Sequence, residues 1–396
     1  MKILTIISTG YVAGGAENAV VKITGNLVAK GHSVKTLASD LGADKEHYND
    51  FVFKSINSAN PLAPLLFLFN PSSFFATRKL LKEYRPDIVH LHTMHQITPS
   101  VPFLLKKYPT VMTLHGPETF ISKLRFWCIR PIDLQYYYDH HRLNMMGKLS
   151  LLFDKIQSMI YRLSLKNVDV FIAPSRYMEK VAHKDVSPIM YLPNFIELGE
   201  EFHEIQQNHN LLFVGRLEKV KGVEFLIQAI PFITKIFPQT TLTIIGEGQN
   251  KENLLHLTKN LHLEKHVHFI GWVKHEDLDR YYQKASIVVI PSIWPENSSL
   301  VILEAMGAGR PVIGTNVGGI SETIVDGVNG YLVEPQSPEQ IAEKAIKLFS
   351  DKDLLKAFGK NSRTKAEEFT LEKYASNLVH IYEQIMSKYK SCNDRK

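Results

Sequence analysis

Cysteine is nearly absent from this chain: 396 residues contain two, Cys128 and Cys392, far apart in sequence. So few thiols exclude a disulfide framework and a thiolate zinc cluster, and they fit a reducing compartment. Long apolar runs are missing too. The longest candidate, Leu62 to Phe69, is enclosed by Pro61 and Pro71 and falls far short of the roughly 20 residues of a spanning helix. Met1 to Ile7 could open a signal peptide, but a glycine-rich loop and Glu17 follow its short apolar core. It reads better as a buried first strand, and the chain is expected to be cytoplasmic. There is no Gly-x-Gly-x-x-Gly fingerprint, no Walker lysine and no Asp-x-Asp pair placed to carry a metal. Those gaps tell against a nicotinamide site, for which Asp40 alone is too little, and against a P-loop.

What is present is the material of a folded protein. Apolar residues make up 44% and charged residues 22%, and the length suggests two domains. The net charge of +6 is uneven: residues 1–200 carry 23 Lys+Arg against 16 Asp+Glu, and residues 201–396 carry 23 against 24. A basic first half suits an anionic partner such as a membrane surface, or simply a solvated surface; no nucleic-acid-binding motif accompanies it.

Short apolar runs alternate with helical patterns along both halves. Lys2–Ser8, Ser33–Ala38, Ile88–His92, Thr110–Leu114 and Val168–Ala173 read as strands, with helices over Ala16–Lys30, around Arg78–Tyr84 and over Val101–Lys106. Residues 149–166 form an amphipathic pattern with Leu149, Leu152, Phe153, Ile156, Ile160 and Leu163 on one face. After a polar break the pattern restarts. Strands are expected at 211–214, 242–245, 267–270, 287–290 and 311–314, and helices at 223–233, 275–284, 299–308 and 338–348. A long helix is expected over Glu367–Lys388. Alternation of this kind means α/β architecture: two Rossmann-like domains, each with a mostly parallel sheet, facing across a cleft. The expected division is 1–200, 201–375 and a final helix and tail at 376–396.

Three segments carry candidate chemistry. Gly14-Gly15-Ala16-Glu17 follows the first strand, where paired glycines admit a bulky or charged group next to the amides of a helix N-terminus. A plain tight turn explains it as well. Gly215-Arg216-Leu217-Glu218-Lys219-Val220-Lys221-Gly222 sets two cations, Arg216 and Lys221, at a strand end, a pairing suited to a pyrophosphate or merely to a solvated surface. The third segment is Pro291-Ser292-Ile293-Trp294-Pro295-Glu296-Asn297-Ser298-Ser299-Leu300-Val301-Ile302-Leu303-Glu304-Ala305-Met306-Gly307. Glu296 falls in the loop and Glu304 on the helix, which Ser298 and Ser299 are expected to cap. Glu304 among apolar residues calls for a partner, either ligand hydroxyls or an internal ion pair. Glycine-rich turns follow at 307–311 and 314–319.

Two glutamates separated by seven residues, followed by Ala305-Met306-Gly307-Ala308-Gly309-Arg310-Pro311-Val312 and combined with Gly14-Gly15-Ala16-Glu17, Gly215-Arg216 and Lys221-Gly222, resemble one family over residues 2–390. It is the large group of retaining glycosyltransferases of GT-B fold that includes sucrose synthase, bacterial glycogen synthase and many transferases of cell-surface glycans. The resemblance implies a donor diphosphate on Arg216 and Lys221, ribose hydroxyls on Glu304, and hydroxyls of the transferred sugar on Glu296. It also implies backbone contacts from Asn297, Ser298, Ser299 and Leu300, with Gly14 and Gly15 close to diphosphate or sugar. His115, in Thr113-Leu114-His115-Gly116, would face the donor sugar, unless it is a structural strand-end histidine. The base would lie near His268 to Trp272.

By the same resemblance the reaction is same-face transfer without a metal or cofactor. Many members have Pro-Phe-Gly after the first glutamate, where this chain has Asn297-Ser298-Ser299. That departure leaves the sugar open: a UDP-sugar is favoured, with GDP-mannose as competitor. Acceptor candidates are Phe120–Arg130, with Lys123, Arg125, Phe126, Trp127 and Arg130, then Tyr136–Tyr138 and Lys148–Lys166. They suit an anionic glycan or lipid-linked acceptor near a membrane surface, in capsule, lipopolysaccharide or other polysaccharide synthesis. A sugar-nucleotide epimerase or a sugar-nucleotide-binding protein is the alternative of another class.

Overall fold

The computed structural model describes residues 1–12, 14–57, 60, 63–93, 96–116, 156, 159–199, 204–205 and 208–393. The chain forms two compact units, Met1–Leu192 with Ala375–Lys396, and Pro193–Tyr374.

The first unit is built on a seven-stranded sheet in the order β3-β2-β1-β4-β5-β6-β7. Its strands are β1 (Lys2–Thr9), β2 (Ser33–Ser39), β3 (Phe51–Phe53), β4 (Ile88–Leu91), β5 (Thr110–Thr113), β6 (Val170–Ala173) and β7 (Ile189–Tyr191), and every pairing is parallel. Parallel strands covered by helices on both faces bury neighbouring residues rather than alternate ones. In β1, accordingly, Ile3, Leu4, Ile6 and Ile7 are all fully buried. The strand order reverses between β1 and β4, the switch point at which open α/β sheets present their C-terminal loops to ligands.

The second unit repeats this plan with six parallel strands in the order β10-β9-β8-β11-β12-β13. These are β8 (Asn210–Val214), β9 (Thr241–Ile245), β10 (Val267–Gly271), β11 (Ile287–Ile290), β12 (Val312–Thr315) and β13 (Gly330–Val333). Its switch point lies between β8 and β11. One face of the sheet packs on the helices Val223–Thr234 and Pro338–Ser350, through Leu226, Ile230, Ala345 and Leu348 among others.

Several elements differ from expectation. β3, β7 and β13, with the helices Lys251–Asn260 and Lys352–Ala366, carry too short or too polar a pattern to stand out. The long terminal helix does not begin at Glu367. A 3-10 turn, Glu367–Phe369, precedes Thr370 in extended backbone (ψ 152°), and the helix runs Leu371–Asn393. The cause is local. Ile196 donates its amide to the Phe369 carbonyl (2.7 Å) and accepts from the Leu371 amide (3.2 Å), taking backbone groups that a continuous helix needs. Further along, Tyr382 hydrogen-bonds His90 (2.6 Å) and Tyr389 reaches Asp169 (3.1 Å), tying this helix to β4 and to the residue before β6.

The apolar face expected over 149–166 lies partly outside the described residues. Where it is described, Ile156 and Leu163 are exposed, whereas Tyr161, Ser164 and Leu165 are buried. A helix with apolar residues on more than one side leaves the choice of buried face to its neighbours, and this core takes Tyr161 and Leu165.

Candidate active site

Loops from β8, β11 and β12 meet at the switch point of the second unit, and glycine makes their close approach possible. Gly222 has φ +65°, and a Cβ there would overlap the Pro291 carbonyl oxygen. The Ile293 amide donates to the Val220 carbonyl (2.9 Å), stitching the same two loops. From the other side, Gly318 (φ +57°) lies against the Glu296 backbone, the Gly319 amide donates to the Glu296 carbonyl (2.7 Å), and Thr315 Oγ1 donates to the Ser292 carbonyl (2.6 Å). Segment 291–296 is thus clamped between two neighbours. Gly222→Ala is expected to cost more than about 2 kcal/mol, from left-handed backbone plus overlap. Urea denaturation of the variant measures that loss.

Within this clamp Lys221 and Glu296 meet. Lys221 Nζ lies 2.9 Å from Glu296 Oε1, with the two side chains 22% and 14% exposed, and Ser292 Oγ donates to the same carboxylate oxygen. Arg216 is not part of this cluster. It is exposed and forms its own pair with Glu218 at 2.7 Å.

Glu304, on the helix Leu300–Gly307, is 13% exposed and finds a partner within the chain: the Tyr282 hydroxyl donates to Oε2 at 2.6 Å. His275 Nδ1 lies 3.8 Å from Oε1. Burial, together with the Glu304 charge, holds the Tyr282 hydroxyl well above the usual phenol range. The expected serine cap is corrected in part. Ser299 is the N-cap residue, but its side chain accepts no capping hydrogen bond; the Ser298 carbonyl accepts from Asn194 Nδ2 at 3.4 Å. The amides of Leu300 and Val301 belong to the first turn, where helix geometry supplies no intrahelical acceptor.

In the first unit, Gly14 and Gly15 are exposed at the start of the helix Gly15–Ala29. Glu17 folds its carboxylate back towards this turn. Burial pushes its pKa up, against the lowering effect of hydrogen bonds from its own amide and that of Gly14. His115, just past β5, is largely buried, and its Nε2 lies 3.0 Å from Nδ1 of His92. The His92 ring stacks on His115 (5.3 Å) and lies 4.0 Å from the His90 ring. His90 in turn bonds Tyr382 (2.6 Å) and Thr113 (2.8 Å). Burial pulls His90 down to about 3 and His115 to about 4, and it holds His92 well below the ordinary value. All three rings are therefore neutral near pH 7.

The structure brings together Lys221 and Glu296, places Glu304 on a tyrosine, and sets Arg216 apart. Ser292, Tyr282, Thr315 and His92 are additions that motif reading missed. His92 had a visible signal: His90-Leu91-His92 puts two histidines on one face of a strand end. Phe120–Arg130, Tyr136–Tyr138 and residues 148–155 of the acceptor candidates lie outside the described residues. Among the described residues no His, Cys, Asp or Glu cluster is placed to hold a metal ion, and no helix is long and apolar enough to cross a membrane.

Comparison with known proteins identifies the class. Residues 199–365 match the family described as Glycosyl transferases group 1, and residues 13–200 match Glycosyltransferase Family 4. Spore coat protein SA of Bacillus subtilis is 35% identical over 227 residues, which span 53% of this chain and 60% of that protein. Among solved structures, sucrose-phosphate synthase from Thermosynechococcus elongatus superposes with TM-score 0.76 at 22% identity, covering 98% of this chain and 100% of that one. Anabaena HepE, solved in complex with UDP and glucose, gives TM-score 0.70 at 18% identity, covering 97% and 99%. The fold is GT-B, two Rossmann-like α/β domains. Both halves of the chain thus match glycosyltransferase families, and the chain is related to the GT-B-fold glycosyltransferases.

Proposed function

We propose that this chain is a retaining hexosyltransferase that takes its sugar from a UDP-sugar and passes it to a hydroxyl of a glycan or lipid-linked acceptor in cell-surface polysaccharide or glycolipid synthesis. The observation that carries the reading is the clamped cluster at the β8/β11 switch point, where Lys221 and Glu296 share a hydrogen-bonded site at the start of the helix that bears Glu304. Lys221 and Arg216 take the diphosphate, together with backbone amides from Asn297 to Leu300 that lead into the helix, whose N-terminus favours negative charge. Glu296 meets hydroxyls of the transferred sugar, and Glu304 meets the ribose. The base rests along His268–Trp272, where Trp272 stands 71% exposed. Gly14 and Gly15 allow close approach of the donor's phosphate or sugar, and His115 serves the sugar as a neutral hydrogen-bonding group.

The chemistry then needs no carboxylate nucleophile. The acceptor hydroxyl attacks the anomeric carbon on the face the diphosphate leaves, and a leaving phosphate oxygen takes the proton. Charge growing on that oxygen is met by Lys221, Arg216 and the helix amides. With these cations in place the reaction runs without a metal, so EDTA is expected to leave the rate unchanged.

Support for UDP comes from Anabaena HepE, which was solved in complex with UDP and glucose. Titration calorimetry with UDP and GDP, on the parent and on Glu304→Ala, tests the donor. Tight UDP binding that weakens in the variant supports the reading. A preference for GDP moves the donor to GDP-mannose, and binding unaffected by Glu304→Ala refutes the site. Release of a free altered nucleotide sugar without acceptor would instead indicate an epimerase.

The first unit also offers a surface suited to an anionic lipid-linked acceptor at the cytoplasmic membrane face. On the helix Pro71–Glu83, Phe75 (59% exposed) is followed by exposed Arg78, Lys79 and Lys82, and exposed Leu65 and Phe69 precede the helix. Apolar side chains beside cations suit an interface with acidic head groups. Sedimentation with vesicles containing anionic lipid at low salt is expected to carry the protein down, and Phe75→Asp to reduce this severalfold. Equal recovery with neutral vesicles would sink the idea.

A further inference from the structure

The two carboxylate oxygens of Glu304 have different surroundings. Oε2 accepts the Tyr282 hydroxyl at 2.6 Å, the short distance of a charge-assisted O–H···O bond. Oε1 accepts no hydrogen bond among the described residues, and its nearest polar neighbour, His275 Nδ1, stands off at 3.8 Å. Tyr282 has little freedom to do anything else. It lies on the short helix Asp279–Lys284, is 1% exposed, and packs in one cluster with Leu278, Ala285, Ile302, Ala305 and Met306. Its ring is held by the core and its hydroxyl emerges at the carboxylate.

A glutamate side chain has three rotatable bonds, and ordering them costs conformational entropy. A glutamate that must accept hydrogen bonds from a ligand gains affinity if that ordering is complete beforehand. Tyr282 supplies it. With Oε2 tied, the carboxylate plane is set and Oε1 is left as the acceptor for a ligand.

We infer that Tyr282 is a positioning residue for nucleotide recognition: by tying Glu304 Oε2 it aims Oε1 at the ribose, so the site selects ribonucleotides over their 2′-deoxy counterparts. This rests on the reading that Glu304 receives the ribose. A site built to hydrogen-bond a hydroxyl penalises the analogue that lacks it, because the buried acceptor is left unpaired.

The test compares UDP with 2′-deoxyuridine diphosphate, and GDP with 2′-deoxyguanosine diphosphate, by titration calorimetry on the parent, Tyr282→Phe and Glu304→Ala. The parent is expected to favour the ribonucleotide of its preferred base by about tenfold or more. Tyr282→Phe keeps the ring in the core and should bring that ratio to within about threefold, with 2′-deoxynucleotide affinity nearly unchanged. A merely structural tyrosine would weaken both nucleotides alike and leave the ratio intact, and that result overturns the proposal. If Tyr282→Phe keeps the parental ratio while Glu304→Ala abolishes it, the ribose reading stands and only the role of Tyr282 falls. If Glu304→Ala also keeps the ratio, or the parent shows no preference, the ribose reading itself fails and the proposal with it.

Discussion

Lowering the pH from 6.5 towards 4 is expected to destabilise the first unit steeply, because it folds around three neutral histidines. His90 is pulled to about 3, His115 to about 4 and His92 well below 6.5, each chiefly by burial. In the unfolded chain these rings take up protons as the pH falls through 6.5. In the folded chain they do not until far lower. The unfolded state therefore binds more protons throughout that window, and stability rises with pH across it. Each ring contributes a slope of up to about 1.4 kcal/mol per pH unit, and three contribute about 4. Against a total of roughly 5–15 kcal/mol, that is decisive within one or two units. Glu17 and Asp169 in the same unit act in the opposite sense, since burial raises their carboxyls, and they soften the acid end of the window. Calorimetry between pH 7 and 4 reads the slope. His90→Gln can keep partners for Tyr382 and Thr113 while removing one titrating ring, and should flatten the slope by about a third. A thermal transition indifferent to pH between 6.5 and 4.5 would show that these rings are not neutral in the folded protein.

Replacing Lys221 with alanine is expected to have the largest effect on catalysis. Lys221 and Glu296 neutralise each other in the structure at 2.9 Å, so under the proposed function a donor divides the pair, turning the lysine to its diphosphate and the glutamate to its sugar. Lys221→Ala removes the cation and leaves Glu296 as an uncompensated negative charge beside an incoming anion. A charge-assisted hydrogen bond contributes about 1.5–3 kcal/mol, so nucleotide affinity should fall about 10- to 150-fold. Loss of charge stabilisation on the leaving group adds about 10²–10³ in kcat. Glu296→Gln has the opposite signature at the first step. It frees Lys221, so UDP should bind at least as tightly as to the parent, while sugar transfer falls. In the double variant the affinity loss from Lys221→Ala should shrink, because the repelling carboxylate is gone. Unchanged UDP affinity in Lys221→Ala would remove this lysine from the donor site.

Amino-acid order alone determined the architecture and singled out the candidate site residues. Consecutive buried residues such as Ile3, Leu4, Ile6 and Ile7 announce a parallel strand because both of its faces must leave water. Gly318, in the glycine-rich turn 314–319, was legible because only glycine takes positive φ against a neighbouring backbone without overlap. Glu296 and Glu304 were legible as carboxylates placed where burial demands a reason. What sequence could not supply was the partner. Glu304 and Tyr282 are 22 residues apart, His92 and His115 are 23, and Lys221 and Glu296 are 75. Periodicity reports which face of an element is buried, never which side chain it will meet across the sheet. The same limit explains the smaller differences. Ser299 has the right chemistry for a cap but does not form it, and Thr370 interrupts a helical pattern because Ile196 claims the backbone on either side. Local pattern decides strand, helix and turn, since those depend on near neighbours in the chain. The ion pair, the tyrosine–glutamate bond and the histidine file exist only once parallel strands set distant loops at the same sheet edge, and that placement belongs to the tertiary structure.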